Sequence, residues 1–294
     1  MKPALSPRGE GLAAIHVATA LLGATALFAT LDASPVWIIF GRCAFASAAL
    51  FVIVTLRRRS MRAPLRVWLG AAGTAALLAL HWISFFVAIQ WAGIGLTMIT
   101  ISTFPLFTLA LEAWSERRRM TWAEAGAALG LVGAIALVAS PDTIDSARIV
   151  WGMGFGVFAA ASFAVFALFS QRLVAHLGPA RLSCMQYGFA GLWLIPLLPF
   201  ASPALHGAEQ WLAVAALGIV FTSVAHQLYL FALTRVSASV CSSVVCLEPL
   251  YAMTYAALVF KAPAPPSIWI SVIIASIASW VLLRRTQAAE PLAQ

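Results

Sequence analysis

The sequence predicts an all-α integral membrane protein with ten transmembrane helices arranged as two inverted five-helix repeats. The first observation is composition: 62% of the 294 residues are hydrophobic and 10% are charged, whereas soluble domains carry about 25% charged residues. The second is the division of the apolar residues into ten runs, and the third is a similarity between the two halves of the chain. A water-soluble protein has no way to cover so much apolar surface, so we expect lipid on the outside.

Each of the ten runs is assigned as one helix. Most approach the roughly 20 residues that a helix needs to cross a bilayer, and they are too long and too uniformly apolar for barrel strands. The first run is long for a signal peptide and nine others follow it, so we expect a retained helix. The predicted spans are Leu12–Leu31, Val36–Leu56, Val67–Trp91, Leu96–Ala113, Trp122–Ala139, Val150–Phe169, Leu182–Phe200, Trp211–Leu233, Val240–Phe260 and Ile268–Leu283.

The basic residues predict the orientation of the spans. With the N-terminus in the cytoplasm, only Arg148 and Lys261 lie on the opposite side and Arg42 falls within the second span, which leaves 15 of the 18 Lys and Arg residues on the cytoplasmic side. Such an asymmetry indicates a bacterial-type inner (plasma) membrane protein with both termini in the cytoplasm. Topology and anionic lipid account for the net charge of +8, so we expect no nucleic acid partner.

Two segments of the chain resemble each other. HWISFFVAIQWAGIGLTMITISTFP begins at His81 and HQLYLFALTRVSASVCSSVVCLEP begins at His226, and each runs from a His through aromatic residues and a small-residue turn to Pro105 or Pro249. This similarity predicts one repeat over residues 1–143 and a second, inverted repeat over 144–294, which together form one domain. Inverted repeats are typical of secondary transporters, with the substrate site between the halves.

This arrangement resembles the drug/metabolite transporter superfamily, in its EamA-type branch of ten-helix bacterial exporters. The residues that carry the resemblance are Arg42 in the second span, Gly126, Gly130 and Gly133 in the fifth, and the prolines Pro105 and Pro249. The resemblance implies export of small organic solutes. Within the branch, the chain is most similar to the YddG type, which implies aromatic and other neutral amino acids as substrates.

Ionisable residues inside the spans are candidates for function because they are costly in lipid. His81 and His226 either line a cavity or form neutral hydrogen bonds to a neighbouring helix. Glu248 is the only acid near the centre of a span, and it is a candidate for proton coupling or cation binding. Alternatively, it pairs with Arg42 or with a backbone donor freed by the following proline.

Prolines and glycines within the spans predict local backbone features. Pro105 and Pro249 should kink spans four and nine, either as hinges or as fixed bends. Two GxxxG pairs, Gly126 with Gly130 and Gly152 with Gly156, should let neighbouring helices pack closely.

The predicted substrate site is a central cavity lined by spans one, three, four, six, eight and nine. Aromatic walls favour planar apolar side chains, and hydroxyl and imidazole groups can bond an amino and a carboxylate group. Large or aromatic amino acids are therefore the leading substrates among small neutral or zwitterionic solutes. The candidate substrate-binding residues are His81, Trp82, Phe85, Thr100, Phe163, His226 and Tyr229.

Other function classes have specific requirements. Phosphorylated sugars need buried Lys or Arg, and the spans offer only Arg42. A multidrug cation exporter would use Glu248 with aromatic faces. A membrane-embedded enzyme would need a nucleophile–base or metal constellation, and no Walker A, HExxH or GxSxG motif is present. We expect no enzyme activity, no metal and no cofactor, with a small-molecule substrate and the lipid bilayer as partners of a monomer.

Overall fold

The computed structural model describes the greater part of the chain, and every regular element in the described residues is helical. The described residues are 6–115, 121, 122, 125, 126, 129, 130, 133, 146–245, 247–261, 265–267, 269–271, 273, 274, 277 and 278. Most of predicted spans five and ten, and the predicted boundary between residues 143 and 144, lie outside them.

The helices are labelled in chain order. They are α1 (Pro7–Thr25), continued by a 3-10 segment (Ala26–Thr30), α2 (Pro35–Leu56), α3 (Leu65–Ile101), α4 (Phe104–Ser115), α5 (Ala147–Leu177), α6 (Pro179–Leu194), continued by a 3-10 segment (Ile195–Phe200), α7 (Gly207–Ala216), a π-helical turn (Leu217–Val224), α8 (Ala225–Ala232), α9 (Ala238–Val245) and α10 (Glu248–Phe260). Predicted spans four and nine are thus each built from more than one helix.

Six helical stretches in the described part of the chain are long and apolar enough to cross a membrane. They are Pro7–Thr30, Pro35–Leu56, Leu65–Ile101, Ala147–Leu177, Pro179–Phe200 and Gly207–Ala232. Many large apolar side chains on the outside of the bundle are exposed, including Trp114, Trp122 and Phe200. An apolar exterior of this kind fits a lipid environment and not water.

Helix α3 contains a backbone break at Gly93. This residue has φ 79° and ψ 167°, a conformation that glycine adopts without the steric penalty that a Cβ would bring. The small-residue turn predicted between spans three and four is confirmed at this point. The helix then resumes as far as Ile101.

The prolines of spans four and nine stand at the beginnings of helices. α4 begins at Phe104, and α10 begins at Glu248 with Pro249 in its first turn. Proline suits the first turn of a helix because the N–H that it lacks has no intrahelical acceptor there. The expected kink is therefore a break between two helical segments in each span, and the role of Pro105 and Pro249 as hinges stays a prediction.

The most extensive helix pair joins α3 to α5, and glycines in α5 allow its close approach. A Cβ at Gly152 would lie 2.9 Å from the backbone nitrogen of Ala92, and a Cβ at Gly156 would collide with the Thr100 side chain. The close packing predicted for this glycine pair is confirmed. At the other pair, a Cβ on Gly130 would make only an ordinary contact with Ala278, 3.6 Å away.

Candidate functional site

A narrow cavity lies inside the bundle, next to the helix breaks before α4 and α10. Its volume in this conformation is about 30 Å³. Its wall is formed by Leu22, Thr25, Arg42, His81, Trp82, Phe85, Ile101, Ser102, Phe104, Phe163, His226, Val245, Glu248 and Pro249. Residues from both predicted repeats therefore meet at one cavity.

Flat aromatic faces form one side of this cavity. The His81 ring stacks on Phe163 with centroids 4.6 Å apart and planes 28° apart. Phe163 also lies 4.8 Å from Phe104, and His81 is nearly parallel to Phe85 at 6.1 Å. Ring faces of this kind pack well against a planar apolar group of a solute.

The orientation of His81 is fixed by α5. Its Nδ1 lies 2.9 Å from the carbonyl oxygen of Ala159. Because a carbonyl oxygen only accepts hydrogen bonds, Nδ1 donates, and Nε2 of the neutral ring is left as an acceptor. His81 is therefore positioned by one helix while it lines a cavity shared by several.

We expect His81→Ala to reduce transport about tenfold with little change in membrane abundance. It removes a stacked ring and one polar contact of the cavity wall, which together contribute on the order of 1–2 kcal/mol. Initial transport rates per incorporated protein and the thermal unfolding temperature separate a cavity role from a structural one. His16→Ala, at an exposed position of α1, is the control, and unchanged flux in His81→Ala would remove His81 from the site.

His226 lies deeper and is enclosed by rings. Trp82, Tyr187 and Phe166 lie 5.3, 5.9 and 6.1 Å from its ring centroid, and the residue is 1% exposed. Its Nδ1 has no hydrogen-bond partner among the described residues. Buried polar atoms are rarely left without a partner, so a polar group that entered the cavity beside His226 would satisfy this nitrogen.

Arg42 is a cavity residue that the sequence analysis did not include among the substrate-binding candidates. Its guanidinium carbon lies 3.9 Å from the centroid of the Trp82 ring, and its Nε donates to Thr222 Oγ1 over 2.6 Å. Cation–π attraction and a charge-assisted hydrogen bond stabilise the buried cation. The available sequence signal was its position as the one basic residue within a span.

The partner of Arg42 belongs to the π-helical turn Leu217–Val224. The hydroxyls of Thr222 and Ser223 donate to the carbonyls of Leu217 and Gly218, five residues earlier, over 2.6 and 3.0 Å. α2 approaches this turn so closely that a Cβ on Gly218 would lie 2.6 Å from the Arg42 carbonyl oxygen. π-helical turns are rare and are often found at functional sites. Here the turn places a hydroxyl beside a buried cation.

The structure divides the predicted site residues into groups. Those that line the cavity are His81, Trp82, Phe85, Phe163, His226, Glu248 and Pro249. Tyr229 is fully buried behind the wall, with its ring 5.4 Å from Phe163. Thr100 lies outside the cavity, where its hydroxyl donates within its own helix and its side chain packs against Gly156. The Pro105 side chain lies outside the described residues.

Two relatives of the chain are named as uncharacterized transporters. The protein named "Uncharacterized transporter YwfM" of Bacillus subtilis (strain 168) is 27% identical over 205 residues, covering 67% of this chain and 67% of its own length. "Uncharacterized transporter YxxF" of the same organism is 22% identical over 179 residues. That match covers 60% of this chain and 57% of the relative.

A solved structure and a family model cover much more of the chain. One crystal structure is 20% identical and superposes with a TM-score of 0.72 over 94% of this chain and 98% of its own, which shows a shared fold. The model of the EamA-like transporter family matches residues 10–140 and 150–284. The chain is therefore a multi-pass membrane protein that belongs to the EamA-like transporter family.

Proposed function

We propose that the protein exports small neutral or zwitterionic organic solutes across the bacterial inner membrane, with large or aromatic amino acids as its leading substrates. The observation that carries this proposal is the cluster of aromatic rings formed by the stacked pair His81 and Phe163 with Phe104, along an internal cavity that also holds polar groups. Stacked rings select a planar apolar side chain, and the polar groups suit the polar end of the same solute.

The proposed mechanism is alternating access between two inverted five-helix repeats. Two observations support it. The family model matches the chain twice, once in each half, and the helix breaks before α4 and α10 occur at related positions of those halves. In transporters with inverted repeats, discontinuous helices meet at the substrate site, and one repeat rocks against the other.

The test is flux through the purified protein. We expect proteoliposomes to pass phenylalanine and tryptophan faster than protein-free liposomes, and overexpressing cells to tolerate toxic analogues of these amino acids. The panel also includes a small aliphatic amino acid and a lipophilic cation. If the liposomes pass the cation but no amino acid, this proposal is wrong and export of lipophilic cations takes its place.

The second candidate function is export of lipophilic cations. One observation favours it: Glu248 lines the same cavity as Trp82, Phe85 and Phe163. A carboxylate beside aromatic faces attracts organic cations. Arg42, however, lies at the same cavity and repels a lone cation, which makes this function the weaker candidate.

We also propose that the N-terminus and the loop between α2 and α3 face the cytoplasm. The loop contains Arg57, Arg58, Arg59 and Arg62, and basic residues next to short spans resist translocation. Reporter fusions in this loop and at the C-terminus should both give a cytoplasmic signal. A periplasmic signal at either position would contradict ten spans in this orientation.

For coupling, we expect Glu248→Gln to abolish any dependence of transport on the pH gradient. The change keeps the shape of the side chain and removes its ability to take up and release a proton. Flux is measured with and without an imposed pH gradient, and Asp32→Asn, at an exposed position, is the control. An unchanged pH response in Glu248→Gln would exclude this role and leave the substrate gradient as the driving force.

A further inference from the structure

The cavity brings together one cation and one acid from different helices, Arg42 of α2 and Glu248 at the start of α10. We propose that these two residues recognise the opposite ends of a zwitterion, with Arg42 binding the carboxylate and Glu248 binding the ammonium group. The inference rests on the proposed function and specifies which class of solute the cavity selects.

Arg42 is held in a way that leaves part of its guanidinium group for a ligand. Trp82 covers one face of the group, and Thr222 accepts the Nε hydrogen. The structure shows no hydrogen bond from the Nη atoms to any described residue. Those two nitrogens carry four of the five N–H groups of arginine, in a planar arrangement that matches the two oxygens of a carboxylate. Because Trp82 and Thr222 fix the side chain, little conformational entropy is lost when a carboxylate binds.

Glu248 suits the complementary role. It lies in the first turn of α10, next to the break between α9 and α10. The residue is partly buried and lines the cavity. Its side-chain oxygens accept no hydrogen bond from any described residue, so they are available to an ammonium group.

Both residues line the same cavity, but the structure shows no ion pair between them. Among the described residues, the structure shows an ion pair elsewhere, between Arg235 Nε and Glu10 Oε2, which are 3.6 Å apart. Buried opposite charges that do not touch lose solvation without the full gain of pairing. A zwitterion placed between them would pair with both, which gives the cavity a reason to prefer it.

This arrangement also discriminates against other solutes. A lone organic cation would be attracted by Glu248 but repelled by Arg42. A lone carboxylate would be attracted by Arg42 but repelled by Glu248. Only a solute with both charges at one end and an apolar group at the other satisfies Arg42, Glu248 and the stacked rings of His81 and Phe163 together.

The experiment is competition for counterflow of labelled phenylalanine in proteoliposomes. The competitors are phenylalanine, 3-phenylpropionate, which lacks the ammonium group, and phenethylamine, which lacks the carboxylate. For the unaltered protein we expect each single-charge analogue to compete roughly tenfold to hundredfold less well than phenylalanine, as the loss of one charge-assisted contact predicts. In the Glu248→Gln variant, 3-phenylpropionate should compete nearly as well as phenylalanine. In the Arg42→Gln variant, phenethylamine should compete nearly as well as phenylalanine.

Size-exclusion profiles and unfolding temperatures show which variants fold. If Arg42→Gln does not accumulate as a folded protein, Glu248→Gln and Arg42→Lys carry the test, and Arg42→Lys should retain the preference for phenylalanine over phenethylamine. If phenethylamine competes as well as phenylalanine with the unaltered protein, or if both Gln variants keep the original ranking, the inference is wrong. Absence of phenylalanine counterflow in the unaltered protein is a different result, because it overturns the proposed function itself.

Discussion

Gly156→Ala should lower the unfolding temperature of the purified protein by several degrees, whereas Gly154→Ala in the same helix should leave it unchanged or raise it. A Cβ at Gly156 would lie 2.9 Å from Thr100 Cβ and even closer to its hydroxyl, while a Cβ at Gly154 meets nothing within 4 Å. Overpacking of this kind costs about 1–3 kcal/mol. Both variants gain the same helix propensity, about 1 kcal/mol, so the difference between them reports the α3–α5 contact alone.

The Gly156→Ala variant should also transport more slowly than the Gly154→Ala variant. The bond from His81 to the Ala159 carbonyl also joins α3 to α5, so a displacement of α3 at Thr100 alters one wall of the cavity. The measurement pairs thermal unfolding in detergent with phenylalanine flux in proteoliposomes. Equal unfolding temperatures for the two variants would show that the helices separate easily at this interface and would contradict the packing argument.

The long helices were predictable because lipid imposes a simple rule on the sequence. A span must be apolar over about 20 residues and must satisfy its own backbone hydrogen bonds, so composition alone indicates stretches such as Pro35–Leu56 and Ala147–Leu177. The turn at Gly93 was also predictable, because a cluster of small residues there interrupts the apolar run. The π-helical turn at Leu217–Val224 was not, because it consists of ordinary span residues and depends on contacts with α2.

Part of the cavity wall was predictable from helical phase within one helix. His81 and Phe85 are four residues apart in α3, so they share a face, and both line the cavity. Thr100 follows the break at Gly93, where the relation between sequence spacing and helix face is lost, and its side chain lies against α5 instead. Arg42 was left out of the predicted substrate site because a single basic residue in a span shows neither its partner nor the direction in which it points.

Thr222→Val should reduce transport roughly tenfold to hundredfold and lower the unfolding temperature. Thr222→Ser should keep most of the transport rate and an unfolding temperature close to that of the unaltered protein. The Thr222 hydroxyl accepts the Nε hydrogen of Arg42 and donates to the Leu217 carbonyl. Valine has the same shape but no hydroxyl, so a buried cation loses its acceptor. A hydrogen bond to a charged group contributes about 1.5–3 kcal/mol, which corresponds to the expected range of rates.

The matched control for this prediction is Thr19→Val in α1. Thr19 is as deeply buried as Thr222, but its hydroxyl donates only to the Ile15 carbonyl of its own helix, over 2.7 Å. Valine there removes a bond that the helix does not need, and both transport and stability should change little. Transport and unfolding are measured for all three variants beside the unaltered protein. If Thr222→Val behaves like Thr19→Val, then Trp82 alone fixes the guanidinium group, and the π-helical turn has no part in positioning Arg42.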